Sequence, residues 1–458
     1  MFLADSSGSR YFHNLTEEYL AFLVSPGSYV LSVGCGTNDT FVGLLNSDSY
    51  ELKPNSECKK FSHESCLNVE FIEGDIENPL VFNSLSERGP FDVILLKDTL
   101  GRLKDIQVFL SQLHCVCSPS TRIISVYYGY LWEPLLHLWD KLKLTKREKS
   151  TWLRMTDVEN FMCISGFEIV KKEWRILCPF KLLGIGDFIN RYVATLPLVR
   201  KLCLRHYLVA RPIPDVQSEF ETVSVIIPCR NEKGNIENAI SRLPELGSHT
   251  EVIFVEGHST DGTWEEIQRV KQKFPSIDIK SLLQPGIGKG DAIRAAFDQA
   301  IGDILIILDA DLTVPPEELP KFLVAITSGR GEYINGSRLI YGMEDQAMRF
   351  LNYVANHVFA YLFTYLINQK LTDTLCGTKV LRRKDYQRIA ANRRYFGEFD
   401  PFGDFDLIFG ASKLNLKFIE LPVRYTSRQY GETQISRFRH GLLLLRMVIF
   451  AYRKLKAF

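Results

Sequence analysis

The sequence predicts an α/β protein of two domains, on three observations. Its 458 residues exceed what one ordinary hydrophobic core organises. Two successive series of short apolar segments alternate with helical patterns. Between them lies a polar stretch with two prolines, RPIPDVQSEFET at 211–222, which reads as a linker, with Val209 just before it still able to belong to a strand. The boundary falls near residue 215, giving domains 1–215 and 216–458.

In the first series, strands are expected at 29–33 (YVLSV), 69–72 (VEFI), 91–96 (FDVILL) and 122–127 (RIISVY). In the second they are expected at 223–227 (VSVII), 251–255 (EVIFV), 277–282 and 304–308 (ILIIL). Continuous apolar runs of this length suit parallel strands covered by helices on both faces. No repeat at solenoid period and no low-complexity tract interrupts either series.

Composition narrows the class of function. A formal charge of +1 provides no global field to recruit nucleic acid. The opening residues, MFLADSSGSRYFHNL, lack the basic start and apolar run of a secretory signal. No apolar stretch reaches the roughly 18–20 residues of a bilayer span. The nearest, 350–367, is interrupted by Asn352, Asn356 and His357 and reads as an amphipathic helix. The ten cysteines follow no zinc-ligand spacing, so free thiols in a reducing cytoplasm are expected. His13, His114 and His137 show no paired spacing and are expected in core or surface roles.

The clearest chemistry lies in the second half. The strand at 304–308 runs into Asp309, Ala310 and Asp311. In extended chain, residues two apart project to the same side, so the two carboxylates are expected to converge at a strand's C-terminal end, where open α/β sheets bind ligands. Two hard oxygen donors there suit Mg2+ or Mn2+ holding a diphosphate. The plainer alternative is a solvated pair ahead of the helix that Pro315 and Pro316 open. Three further loops favour the ligand site. VSVIIPCRNE (223–232) is a strand entering a turn tipped by Asn231 and Glu232. EVIFVEGHSTDGT (251–263) ends its strand at Glu256, after which Asp261 or Thr263 can cap the next helix. GIGKGDAIRAAFDQA (286–300) sets Lys289 between glycines just before a helix, where phosphate is readily met.

These segments, in this order, resemble the family-2 glycosyltransferases of the GT-A fold over 223–430, and most closely the polyprenyl-phosphate hexose synthases. The resemblance implies that Pro228, Asn231, Glu232 and Glu256 surround the base and ribose of a UDP- or GDP-hexose, with Asp261 and Lys289 completing the nucleotide site. It implies metal ligation by Asp309 and Asp311, Asp311 the surer ligand, and contact between Arg338 of the NGSR segment and the acceptor phosphate. Asp373 matches the acidic residue before a Gly-containing turn. Asp406 or Asp404 matches the late catalytic acid, and Arg428 in SRQYGETQ matches a loop closing over the diphosphate. Gly257 stands where a second acidic residue is usual, His258 where Gly is usual and Thr313 where some relatives supply a metal-binding Gln; the base, uracil or guanine, stays open.

The implied reaction is inverting transfer to a polyprenyl phosphate, an anionic nucleophile that needs no base. A saccharide or small hydroxyl acceptor would need one, and Asp406 or Asp404 is placed for it. The tail 440–458 has Arg446, Arg453, Lys454 and Lys456 and no acidic residue, which suits a helix lying peripherally at the inner membrane face or, alternatively, packed on its own domain.

In the first half, a strand enters the turn Gly34, Cys35, Gly36; VEFIEGD ends in Asp75; FDVILLKD follows; and SGFEIVKKEW (165–174) suits a late hairpin. The order resembles class I S-adenosylmethionine-dependent methyltransferases, a Rossmann-like fold, over about residues 25–175. The resemblance implies Gly34, Cys35 and Gly36 beside the methionine part of S-adenosyl-L-methionine and Asp75 beside the adenine. Ser32 replaces the acidic residue usual before the glycines, and no second strand with an acidic end is recognisable, so the ribose partner is either missing or something like Glu51. A non-catalytic binding or scaffold module is the alternative.

Overall fold

The computed structural model describes residues 7–34, 49–53, 69–141, 151–214, 221–339, 350–395, 405–426, 428, 430–431 and 437–457. The chain divides into two compact units, Met1–Pro214 with Lys456–Phe458, and Asp215–Leu455.

The first unit is built on seven strands: β1 Val30–Gly34, β2 Ser49–Lys53, β3 Val69–Glu73, β4 Phe91–Lys97, β5 Cys117–Tyr128, β6 Phe167–Arg175 and β7 Arg205–Pro212. Their order is β3-β2-β1-β4-β5-β7-β6, with β7 antiparallel to both its neighbours. Alternate residues of β1 and β4 separate two cores, as the pleat requires. Leu31, Val33, Ile94 and Leu96 pack with Phe82, Phe109 and Val158 of the helices Pro79–Ser86, Ile106–Gln112 and Met155–Ile164. Val30, Val93 and Leu95 pack on the other face with Tyr19, Leu20 and Leu23 of the helix Ser7–Leu23.

Two strands here depart from the sequence reading. β2 is the second strand that the apolar pattern did not show, because its SYELK has two apolar side chains alternating with polar ones. β7 extends into the expected linker: Arg211 is buried in it, held by Glu168, to which its Nε donates at 2.6 Å. A paired arginine inside a strand has the composition of a linker but not its structure.

The second unit carries β8 Val223–Cys229, β9 Thr250–Glu256, β10 Asp278–Leu283, β11 Ile304–Ile307, β12 Tyr333–Ser337, β13 Lys379–Arg382 and β14 Phe418–Pro422. The order is β10-β9-β8-β11-β13-β12-β14. The first four strands are parallel, β13 runs antiparallel to β11 and β12, and β14 lies parallel to β12. Val225, Ile227, Val252, Phe254 and Ile306 form one buried face with Ile236, Ile267 and Phe322. Their neighbours Ile226, Ile253, Val255 and Ile307 are buried on the opposite face, which explains the unbroken apolar runs. The chain moves from β8 to β9 and β10 on one side and then to β11 on the other. β8 and β11 therefore flank the switch in strand order, and the loops after β8, β9 and β11 share one edge.

The segment read as an amphipathic helix is the helix Phe350–Ile367, and the tail forms Arg437–Leu455. No helix among the described residues is long and apolar enough to cross a membrane. Seven described cysteines are free thiols.

Candidate active site

At the end of β11, Asp309, Ala310 and Asp311 form a turn rather than extended chain. The alternation argument for converging carboxylates therefore does not apply, and the two side chains engage different cations. Asp309 Oδ1 lies 2.7 Å from Lys289 Nζ, and Asp311 Oδ2 lies 2.6 Å from Arg428 Nη2. The turn is fixed by Leu312, buried at the left-handed φ of 51°, and by Thr313, whose amide and hydroxyl donate to Asp311 Oδ1 at 3.1 and 2.8 Å. A bulky residue in that region is strained and persists only where packing compels it. The Thr313 carbonyl in turn accepts the Thr426 amide at 3.0 Å, which holds the late loop and Arg428 against the acidic turn.

Lys289 opens the helix Lys289–Gln299 directly after Gly288, at φ 95°. A cation at a helix N-terminus, beside unsatisfied amides, is a site for an anion. Burial alone would raise the Asp309 carboxyl; Lys289, then Lys379 and Arg338, outweigh it and hold the group below its ordinary range. Lys379 was not evident from the sequence. It lies within β13, fully buried, and only the antiparallel pairing of β13 with β11 brings it near Asp309.

The loops after β8 and β9 interlock. Asn231, at φ 55°, donates its amide to Ser259 Oγ at 2.9 Å and accepts the Thr260 amide at 2.9 Å. Glu256, at the end of β9, accepts the Ser259 amide. Glu232 receives the Asn235 side-chain amide at 2.7 Å and lies 3.3 Å from Arg428 Nη1. Burial pushes the Glu232 carboxyl up, with Asn235 and Arg428 opposing. Asp261 accepts the Thr263 amide at 3.1 Å and the Lys233 amide at 3.2 Å, and Tyr430 donates to it at 3.3 Å. These donors, led by the Thr263 hydroxyl, outweigh burial and hold the Asp261 carboxyl below its usual range. Of the two capping alternatives, Asp261 meets the first amide of the helix Thr263–Lys273. Pro228, one residue from the end of β8, pairs in register with Val255. At Gly257 a side chain would begin 3.0 Å from Gln284 Oε1, a contact that Gln284 would have to yield.

Arg338 makes a bidentate pair with Asp373, Nε to Oδ2 at 2.7 Å and Nη2 to Oδ1 at 2.8 Å, and this leaves Nη1 outside the fork. Asp406, in the first turn of the helix Phe405–Lys413, pairs with Arg393 Nε at 2.8 Å. Asp404, Cys35 and Gly36 lie outside the described residues. In the first unit, Gly34 sits at φ 118°, but the space a Cβ would need is taken by Thr99. Asp75 Oδ1 accepts the Glu77 amide at 3.0 Å, a local turn contact after β3.

One late loop, one helix N-terminus and three strand ends thus bring Glu232, Asp261, Lys289, Asp309, Asp311 and Arg428 together. Residues 224–390 match Glycosyl transferase family 2. The second unit carries a family-2 glycosyltransferase domain. The domain is similar to the dolichol-phosphate mannosyltransferase of Pyrococcus furiosus, 38% identical over 122 residues, 26% of this chain and 34% of the relative. It is also similar to the undecaprenyl-phosphate 4-deoxy-4-formamido-L-arabinose transferase of Edwardsiella ictaluri, 26% identical over 235 residues, 50% of this chain and 66% of the relative. The chain thus spans between about a third and two thirds of the length of these relatives. Among solved structures, glucosyl-3-phosphoglycerate synthase from Mycobacterium tuberculosis, with Mn2+, UDP and glucosyl-3-phosphoglycerate, matches 52% of this chain and 80% of its own at 18% identity and TM-score 0.38.

Proposed function

We propose that the second unit, as a GT-A-type enzyme, transfers a hexose with inversion from a UDP- or GDP-hexose to a polyprenyl phosphate. The observation that carries this reading is the pairing of two clustered acids, Asp309 and Asp311, with two separately anchored cations, Lys289 and Arg428, at the switch edge of the sheet. Among the described residues no group of three or more His, Cys, Asp or Glu side chains gathers as a metal site. The carboxylates of Asp309 and Asp311 nonetheless supply the hard oxygen donors that suit Mg2+ or Mn2+ completed by diphosphate oxygens and water, and the Lys289 pair helps keep Asp309 ionised. Bound there, the ion would neutralise charge on the departing diphosphate.

The chain's own residues do the rest. Asn231, Glu232, Glu256 and Asp261, with Pro228, form the wall for base and ribose. As the bond between anomeric carbon and β-phosphate oxygen breaks, negative charge grows on that oxygen, and Lys289 and Arg428 are placed to receive it. An oxygen of the lipid phosphate forms the new bond on the opposite face, steered by Nη1 of Arg338. Asp406 bears on the alternative: its ion pair with Arg393 commits one oxygen to a guanidinium, which disfavours it as the base a hydroxyl acceptor requires. Peripheral work at the cytoplasmic membrane face is supported by the exposed Val358, Tyr361, Leu442, Leu445 and Ile449 beside Arg446 and Arg453.

The test is a donor screen with Mg2+ or Mn2+, with and without polyprenyl phosphate. Lipid-dependent release of nucleoside diphosphate, abolished by chelator, is the expected result. Release that follows a saccharide instead, or full turnover of Asp311→Asn, would overturn the reading.

For the first unit, the order of β1 and β4 about a switch, with the late β6–β7 hairpin, supports a nucleoside-binding crevice and a methyl transfer from S-adenosylmethionine. Thr99 filling the space at Gly34 favours the scaffold alternative there. Calorimetry of the full chain with the cofactor separates them: heat at submillimolar cofactor supports the crevice, and its absence at millimolar cofactor assigns a scaffold.

A further inference from the structure

Between β6 and β7 the first unit carries an insertion, 176–204, built with its apolar side chains outward. Its frame is tightly made. Asn190 Oδ1 accepts the Leu177 and Cys178 amides, both at 2.9 Å, and its Nδ2 donates to the Cys178 carbonyl at 2.7 Å. Tyr11 donates to Asp187 Oδ1 at 2.7 Å, and Trp132 Nε1 donates to the Leu202 carbonyl at 2.7 Å. Gly186 is pressed against the Phe180 carbonyl, where any Cβ would collide. Ala194 and Cys203 are buried beneath.

On this fixed frame the outer side chains find no cover among the described residues. Leu182, Ile185, Phe188 and Leu202 are exposed, Leu198 is 87% exposed and Leu183 is 105% exposed. Leu182 and Leu183 also stand at left-handed φ values of 44° and 53°, a region that leucine avoids, and Leu183 gains no burial from it. An apolar patch of this extent on a hydrogen-bonded base marks a contact surface.

Charge selects the occupant. Within the same insertion Lys181, Arg191 and Lys201 are exposed and Arg200 is half-buried, against a single acid, Asp187, already engaged by Tyr11. Apolar tips among basic side chains match a bilayer interface with anionic headgroups, the apolar residues entering the acyl boundary and the cations meeting the headgroups. We propose that the insertion between β6 and β7 docks the first unit onto an anionic lipid surface. The insertion's helical turns, of three to five residues each, are too short and too irregular to register as a span or an amphipathic helix, so length and periodicity both pass over it. The inference does not depend on the transfer reaction or on the tail helix of the second unit.

The experiment uses the full chain with vesicles of phosphatidylcholine alone and of phosphatidylcholine with phosphatidylglycerol, read by flotation and amide hydrogen exchange. Binding to the anionic vesicles with slowed exchange over 180–202 is expected. The variant L183D/L198D should bind about tenfold more weakly, since both side chains leave the acyl boundary. Aspartate tolerates the left-handed region better than leucine and both sites are exposed, so an unchanged melting midpoint is the control on folding. Undiminished binding by L183D/L198D, with protection confined to 442–449, would overturn the proposal by assigning membrane contact to the tail. So would a chain that ignores vesicles but forms a dimer that the two substitutions dissolve.

Discussion

Gly377 has no room for a side chain, because a Cβ there would collide with the carboxylate of Asp309. Asp309 is itself held by Lys289 at 2.7 Å, so the collision must break either the ion pair or the turn. Gly377→Ala is therefore expected to cut the proposed sugar transfer by at least about tenfold, the scale of misplacing one catalytic contact, while circular dichroism stays unchanged. Normal turnover in that variant would detach Asp309 from the chemistry. Arg428 offers the complementary test. It bridges Asp311 at 2.6 Å and Glu232 at 3.3 Å, so it both orients the acidic turn and supplies positive charge. Arg428→Ala should lower kcat by about a hundredfold, as for loss of one preorganised charge-stabilising donor. A change confined to KM would make Arg428 a binding residue only.

β14 organises the loop before β13 through Glu420, whose carboxylate takes the Thr372 amide at 2.8 Å, the Asp373 amide at 3.2 Å and the Asn335 side-chain amide at 3.2 Å. That loop geometry delivers Asp373 to Arg338. Burial would raise the Asp373 carboxyl, yet the Arg338 guanidinium, with its amide and Asn356, holds it at about 2. An unfolded carboxyl titrates near 3.9. The folded value is the lower one, so this pair's contribution to stability is complete above about pH 4 and is lost as pH falls to about 2. Melting of the second unit against pH should show that acid-side loss. Asp373→Asn should remove it and cost about 3–5 kcal/mol at neutral pH, since Arg338 is left buried without its counter-charge. The sequence carried the parallel strands and the motif residues because they are local: apolar runs, turn residues, acids at strand ends. It did not carry β12, β13 and β14, whose four or five residues include Asn335, Gly336, Lys379 and Glu420. Asn335 and Glu420 find partners far along the chain, in Asp373 and Thr372, and Lys379 comes near Asp309 only through strand pairing, so no local pattern encodes these strands. For the same reason Thr313 was legible as a departure from relatives but not as the donor that orients Asp311, and Arg393 gave no sign of being the partner of Asp406.

At the scale of the whole molecule, two compact units predict two unfolding transitions rather than one. The grouping of the chain adds a particular constraint: Lys456–Phe458 belong with the first unit. Lys456 is 1% exposed, and its Nζ lies 3.1 and 2.9 Å from the two oxygens of the buried Glu173. Its carbonyl also accepts from Arg175. A buried pair of this kind adds little net stability, because desolvation offsets attraction, but removing one partner leaves a charge stranded. Lys456→Met keeps the backbone contact to Arg175 and removes the nearer cation of Glu173, leaving Arg175 at 3.6 Å, which should cost the first unit about 3 kcal/mol, the low end for a broken buried pair. For a unit of this size that is roughly a 6–12 °C fall in its midpoint. The transition of the glycosyltransferase domain should not move, and Glu173→Leu added to Lys456→Met should not restore the loss, since the buried Arg175, 3.6 Å from Glu173, would then be left without its carboxylate. Calorimetry of the full chain distinguishes the outcomes. A first transition unmoved by Lys456→Met would mean that the last residues contribute nothing to the fold of the unit they complete.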